Sequence, residues 1–258
     1  MLKILHEEPD FVVCVKPAGI LSEEPGMPAL LREELGGEIY CVHRLDRGVG
    51  GVMVYARTKK AAAALSEAVT RRQVEKEYLA VCQGIPAPAA GAMEDLLFKD
   101  SGKGKAFVVR RERKGVRPAR LTYETLGQEE TPEGTASLVH VRLETGRFHQ
   151  IRVQFASRKL PLRGDRRYGG PAGENLALWS WRLTFPHPRT GETVCASCLP
   201  EGSGSGRGSR RTDGAPEIVV LYPALSGIQD RFFFGRSYGI LCLSEREDGQ
   251  CSSIPLIF

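Results

Sequence analysis

Over its first 200 residues the chain alternates short strand-like runs with a few short helical stretches, and no segment repeats. Such a pattern needs a sheet to bury its strands and helices to cover that sheet. MLKIL and FVVCVKPAGIL read as strands, the second broken at Pro17-Ala18-Gly19, and Pro28 to Leu35 as a short helix. EIYCVHRL is β-branched and aromatic enough to be a strand delivering His43, Arg44 and Asp46 to a loop, after which GGVMVYAR resumes a strand. Thr58 caps an Ala-rich helix, KKAAAALSEAVTRR, with Leu65 and Val69 on one face. In the strand EKEYLAVCQG the two-residue period puts Tyr78, Ala80 and Cys82 together. After a PAPAAGA connector, FVVRR, ARLTYETL and SLVHVRLE are strand-like runs joined by turns rich in Gly, Lys and Pro. ALWSWRLTFPHP and ETVCAS then finish the sheet. The expected fold class is α+β, with a mixed, mostly antiparallel central sheet and flanking helices.

With 258 residues and 41% hydrophobic content, a core forms without disulfide or metal. No stretch approaches the roughly 18 consecutive apolar residues that span a bilayer, and the first residues lack a secretory apolar run, which predicts a cytoplasmic protein that is not in a membrane. Seven scattered cysteines predict reduced thiols. Cys195 and Cys198 form the only C-x-x-C, and no second close pair completes a zinc site. Residues 1–200 read as one catalytic domain, 201–214 (EGSGSGRGSRRTDG) as a flexible linker, and 215–258 as a tail with apolar pieces but no period. Residues 201–258 hold six Arg against seven Asp or Glu, so residues 1–200 carry +6 of the net +5. That excess suits a polyanionic partner.

The segment TGRFHQIRVQFA carries the sharpest physical expectation. Thr145 caps a helix starting near Arg147, whose turn brings Phe148, Ile151, Arg152 and Phe155 to one face. Arg152 thus sits among core-facing residues, and a buried guanidinium costs several kcal/mol unless an anion meets it with good geometry. The helix therefore predicts a carboxylate partner, and Asp46 in HRLDRG is the candidate. An aspartate held by an arginine stays ionised, which suits a nucleophile; a purely structural ion pair fits the same pattern.

Five segments occur in a characteristic order: Lys16-Pro17-Ala18-Gly19; His43-Arg44-Leu45-Asp46; Lys76-Glu77-Tyr78; Thr145-Gly146-Arg147-Phe148-His149-Gln150-Ile151-Arg152; and Gly164-Asp165-Arg166-Arg167-Tyr168-Gly169. In this order and content the chain resembles the RluA-type pseudouridine synthases across roughly residues 2–200. The resemblance implies that Asp46 is the catalytic aspartate, that Tyr78 stacks on the uracil and helps remove the proton from C5, that Arg152 pairs with Asp46, and that Arg44 fills the gap left by an extruded base. It implies an isomerisation of uridine in rRNA or tRNA, with attack by Asp46 at the anomeric carbon or at C6 both fitting the residues. No cofactor or metal is needed, and a monomer suffices. His43, Arg147, His149, Gln150, Arg163, Arg166 and Arg167 become expected RNA contacts.

Two departures stand out. Where the family continues the HRLD loop with a small hydroxyl residue and Ser-Gly-Leu, this chain has Arg47-Gly48-Val49-Gly50-Gly51-Val52, whose glycines are expected to loosen the loop. Gln154 stands where the family commonly has His, a change expected to matter less. Two other readings compete: a non-catalytic RNA-binding protein on the same fold, and a nucleoside or sugar hydrolase, which would need a second carboxylate that the motifs do not supply.

Overall fold

A computed structural model describes residues 1–171, 173 and 175–200; the expected linker at 201–214 and the tail at 215–258 lie outside the described residues. The strands are β1 (Lys3–Glu7), β2 (Phe11–Lys16), β3 (Tyr40–Cys41), β4 (Gly50–Ala56), β5 (Glu75–Gln83), β6 (Ala90–Asp100), β7 (Lys105–Val109), β8 (Val116–Thr131), β9 (Gly134–Leu143), β10 (Leu178–Pro186) and β11 (Thr193–Ser197). They join one sheet in the order β1-β2-β4-β10-β5-β9-β8-β6-β7, with β3 added to β4 and β11 to β10. Every pairing among the described residues is antiparallel except β4 with β10, which run parallel. The α+β expectation holds.

Among the described residues three α-helices cover the sheet: α1 (Met27–Leu35), α2 (Lys59–Thr70) and α3 (Gln150–Ser157). The strand period decides which face each one takes. On β2 and β4, Val12, Cys14, Met53 and Tyr55 face α1 and α3, packing with Met27, Leu31, Ile151 and Phe155. The alternate residues Phe11, Val13, Val52, Val54 and Ala56 pack with Ala61 and Leu65 of α2. Covered on both sides, β2 and β4 are buried along their whole length. Tyr78, Ala80 and Cys82 share the α1/α3 face as the period of β5 requires. Among the described residues no helix is long and apolar enough to cross a membrane.

Several expectations need correction. The whole of β6 lies in what looked like a connector and its sequel, because AGAMEDLLFKD mixes charges with only two buried positions rather than showing a continuous apolar run. EIYCVHRL contributes only the two residues of β3 before the chain leaves the sheet. Thr58 does cap α2, its hydroxyl oxygen accepting from the Ala61 N–H at 3.1 Å, but the buried stripe is Ala61, Leu65 and Ala68 rather than Leu65 and Val69. Instead of finishing the sheet, β10 sits at its centre between β4 and β5.

The glycines after Asp46 do not loosen a loop. Gly50 and Gly51 open β4 and are buried, pairing with Trp179 and Ser180 of β10. Gly51 has φ +122°, and a Cβ there would lie 2.2 Å from the Ser180 carbonyl oxygen. Glycine is what lets the strand that leaves the Asp46 turn run against β10.

Candidate active site

Asp46 sits in a tight turn closed by the Val49 N–H donating to the Asp46 carbonyl at 2.9 Å. The residues on either side are tied to the segment around the Lys16-Pro17-Ala18-Gly19 turn. Ser22 Oγ both donates to the Leu45 carbonyl at 2.9 Å and accepts from the Leu45 N–H at 3.0 Å. Arg47 donates from Nε to the Gly19 carbonyl at 2.8 Å and accepts the Gly19 N–H at 2.8 Å. Beneath this turn the ammonium of Lys16, fully buried, donates to the carbonyls of Pro17, Ile20 and Arg47. Burial pulls its pKa down to about 8, and the charge of Asp46 works in the opposite direction. The first motif is thus the floor on which the Asp46 turn rests.

From the other side comes α3. Arg152 donates from Nη1 to Asp46 Oδ2 at 2.8 Å, as its place on the helix predicted. Its main partner is a residue to which no role was given: Nε and Nη2 reach Oδ2 and Oδ1 of Asp165 at 2.7 and 2.8 Å, a bidentate pair. The Asp165 side chain is 1% exposed and that of Asp46 is 24% exposed. One guanidinium therefore clasps a structural carboxylate in the interior and a second that reaches the cleft. Burial lowers the pKa of Arg152, and the two carboxylates more than offset this. Asp165 is held by a turn in which Gly164 has φ +75°, where a Cβ would lie 1.9 Å from the Asn175 carbonyl oxygen. The signal was present in the sequence: a helical arginine amid core residues needs all its donors met, and a single Asp46 cannot do that.

The turn into α3 differs from expectation. Thr145 is not its cap; the helix starts at Gln150, after His149 in the left-handed region at φ 53°. Gln150 holds this turn, its Oε1 accepting from the Arg147 N–H and from the Thr145 hydroxyl, and its Nε2 donating to the Arg120 carbonyl. Both ends of its amide are engaged inside the protein rather than offered to a ligand. Nor is α3 buried on one face only. Every residue from Gln150 to Phe155 is buried, with Ile151 and Phe155 in the main core and Val153 against Leu97, Ala106 and Ala119 of the β6–β8 lobe. Gln154, fully buried, donates to the Met93 carbonyl and to Asp95.

These elements surround a cleft of about 410 Å³ lined by Asp46, Tyr78, Arg152, His149, Arg147, Lys76, His43 and Arg44, among others. Its size is that of a small-ligand pocket. Tyr78 is largely buried there, and burial, then the charge of Asp46, pushes its phenol pKa above the usual range, so it is neutral at physiological pH. Arg44 stands at the rim, 61% exposed and paired with Glu23 at 3.1 Å. Arg147 donates from Nε to the Pro118 carbonyl. His43 is buried; its Nε2 accepts the Val54 N–H at 3.2 Å, tying the loop to β4, while Nδ1 has no partner among the described residues. Arg163 lies elsewhere, paired with Glu133 at 3.3 Å and absent from the cleft wall. Arg167 donates to the carbonyls of Lys103 and Gly104 on the turn before β7. Lys76, two residues before Tyr78 on the same face of β5, also lines the cleft, a position its spacing alone makes readable.

His149 is partly buried, with its side chain 9% exposed and Nε2 3.5 Å from Asp46 Oδ2. Burial is the main cause that brings its pKa down to about 4, against the raising effect of Asp46. Because this lies below the ordinary histidine value of 6.5, the stability it contributes is complete above pH 6.5 and drains away as pH falls through 4. His149→Gln should therefore lose about 2 kcal/mol less stability than the parent between pH 7 and pH 4.5, by urea unfolding at the two pH values. An equal loss in both proteins would contradict the assignment.

The fold and the cleft define a class, an α+β protein that presents an arginine-held aspartate and a neutral tyrosine to a nucleobase-sized space. The RNA pseudouridylate synthase family model matches residues 10–157, so the chain belongs to that family. An uncharacterized RNA pseudouridine synthase of Mycobacterium bovis is 38% identical, matching 59% of this chain and 50% of that protein. The tRNA pseudouridine synthase C of Yersinia pestis is 31% identical, matching 75% of this chain and 84% of that one. Among solved structures, human RNA pseudouridylate synthase domain containing 4 shares 26% identity with a TM-score of 0.63, covering 76% of this chain and 87% of that chain. The match spans half the length of the Mycobacterium bovis relative.

Proposed function

We propose that this protein is an RNA pseudouridine synthase that isomerises uridines in structured rRNA or tRNA, with Asp46 as nucleophile. The observation that carries the reading is the 2.8 Å contact between Arg152 and Asp46 at the wall of a cleft that also exposes Tyr78. Arg152 pairs with the carboxylate and aims it, so it can attack as the uridine N-glycosidic bond breaks. Whether the Asp46 oxygen bonds to the anomeric carbon or to C6, that bond breaks again as the turned base bonds through C5 to the anomeric carbon, which returns the carboxylate. The C5 proton leaves and N1 takes one up. Atoms balance without an oxidant, reductant or water molecule, so the chemistry asks for no cofactor. A neutral Tyr78 suits stacking on the ring and passing a proton on. Arg44, Arg147, Arg166 and Arg167 supply positive charge for the RNA backbone, and unpaired uridines are favoured because extrusion costs a few kcal/mol. One chain supplies every group named, which supports a monomer, and an RNA substrate with no membrane-crossing helix among the described residues supports work in the cytoplasm.

The test is to incubate the purified protein with total RNA and map pseudouridine by sequencing or mass spectrometry. New pseudouridine at defined sites, absent with Asp46→Asn, supports the reading; RNA bound but never isomerised favours a non-catalytic binding protein. Tyr78→Phe is expected to bind RNA as well as the parent but turn over about a hundredfold more slowly, as single-turnover kinetics would report.

A further inference from the structure

We propose that His149 is a positioning residue for Asp46: Tyr168 fixes its imidazole as the Nε2–H tautomer, and that N–H, with Arg152, occupies Asp46 Oδ2 so that Oδ1 is the attacking oxygen. The inference rests on the reading of Asp46 as nucleophile, while its structural half stands apart from that reading.

The chain of donors starts in the backbone. The Ala106 N–H of β7 can only donate, and it points at the Tyr168 hydroxyl oxygen at 2.8 Å. That oxygen accepts, which leaves the phenol proton to be placed, and His149 Nδ1 lies 3.0 Å away. If Nδ1 accepts the phenol proton, the ring's own proton sits on Nε2 and faces Asp46 Oδ2 at 3.5 Å. The opposite tautomer would turn a nitrogen lone pair toward a carboxylate oxygen and leave the phenol proton unmet in a half-buried place. The imidazolium is excluded at physiological pH, since burial keeps the ring neutral down to about pH 4.

Two ring contacts and a backbone turn hold the imidazole. It stacks on Phe148 with centroids 3.8 Å apart, and Tyr168 meets it edge-on at 5.6 Å. His149 also sits in the left-handed region, so the backbone bends to bring the ring to Asp46 rather than out to solvent. At 3.5 Å Nε2 lies just beyond hydrogen-bond distance of Asp46 Oδ2, close enough for an Nε2–H to act on the carboxylate as a dipole and to tighten in a substrate complex. Arg152 donates to Oδ2 and His149 Nε2 lies on the side of the same oxygen, whereas Oδ1 carries no hydrogen bond from the described residues. Asp46 is therefore oriented by two groups on one oxygen, with its other oxygen left for bond formation.

Long-range ¹H–¹⁵N spectra of the ¹⁵N-histidine protein read the tautomer directly, without RNA. The His149 ring is assigned by its loss in His149→Gln and, independently, by ring-proton contacts with Phe148 and Tyr168. The expected result is a protonated Nε2 and a hydrogen-bond-accepting Nδ1 at pH 7. Tyr168→Phe should shift both nitrogens toward the averaged values of a mixed tautomer and slow single turnover about tenfold at unchanged RNA affinity. His149→Gln, which can still present an N–H, should stay within about tenfold of the parent, while His149→Leu should fall about a hundredfold. A protonated Nδ1 in the parent, or a tautomer unmoved by Tyr168→Phe, overturns the proposal. If the tautomer is as expected but Asp46→Asn retains activity, the nucleophile assignment fails instead.

Discussion

Asp46→Asn is expected to fold as the parent does, bind RNA with similar affinity, and form pseudouridine at least about a thousandfold more slowly. The amide is nearly isosteric, and its oxygen can still accept the Arg152 Nη1–H that now reaches Oδ2 at 2.8 Å. Asp165 keeps its two hydrogen bonds from Arg152, so no buried charge is orphaned. What disappears is the negative oxygen that attacks, and no neighbour replaces it. The acidic side chains Glu23 and Asp165 are the nearest candidates, but Glu23 is spent on Arg44 at the rim and Asp165 is shut in the interior. Single-turnover assays on a mapped RNA substrate, with thermal melts beside them, check both halves. Activity within tenfold of the parent would remove Asp46 from the chemistry, and a collapsed melting temperature would move the effect to folding.

Much of this site was legible before any coordinates. The strand period put Tyr78 on one face with Ala80 and Cys82, and the burial cost of a guanidinium required an anion beside Arg152. What escaped has physical reasons. β6 was unreadable because its charged and half-buried positions follow no clean alternation and its few buried residues find their apolar partners on α3, β7 and β8, a pattern with no local signature. Asp165 went unassigned because its role depends on a turn that only a left-handed Gly164 permits, thirteen residues from Arg152. Gly50 and Gly51 looked like flexibility in a loop, yet their purpose appears only when β10, about 130 residues later, lies parallel against them. The resemblance made Gln150 and Arg163 expected RNA contacts; the hydrogen bonds of Gln150, which lines the cleft, and the ion pair of Arg163 lie within the protein. A sequence reports which groups need partners far better than it reports which partner wins.

Arg152→Met tests that point with the largest expected loss of stability, about 3–5 kcal/mol, which is a fall of about 10 °C in melting temperature for a protein of this size. Methionine keeps most of the side-chain volume beside the Tyr168 ring, over which the guanidinium now sits at 5.2 Å, so cavity formation contributes little. The cost is electrostatic: Asp165 loses both of its guanidinium hydrogen bonds while 1% exposed, and Asp46 loses its fixed orientation. Arg152→Lys keeps the charge but offers one compact ammonium where a planar fork now serves two carboxylates, so it should recover part of the stability and little of the activity. The decisive comparison is the double variant Arg152→Met/Asp165→Asn. If the loss comes from an orphaned buried carboxylate, removing that charge should make the double variant more stable than Arg152→Met alone. Additive losses would instead assign the damage to packing, and an Arg152→Met protein that melts and turns over like the parent would leave the clasp without a purpose.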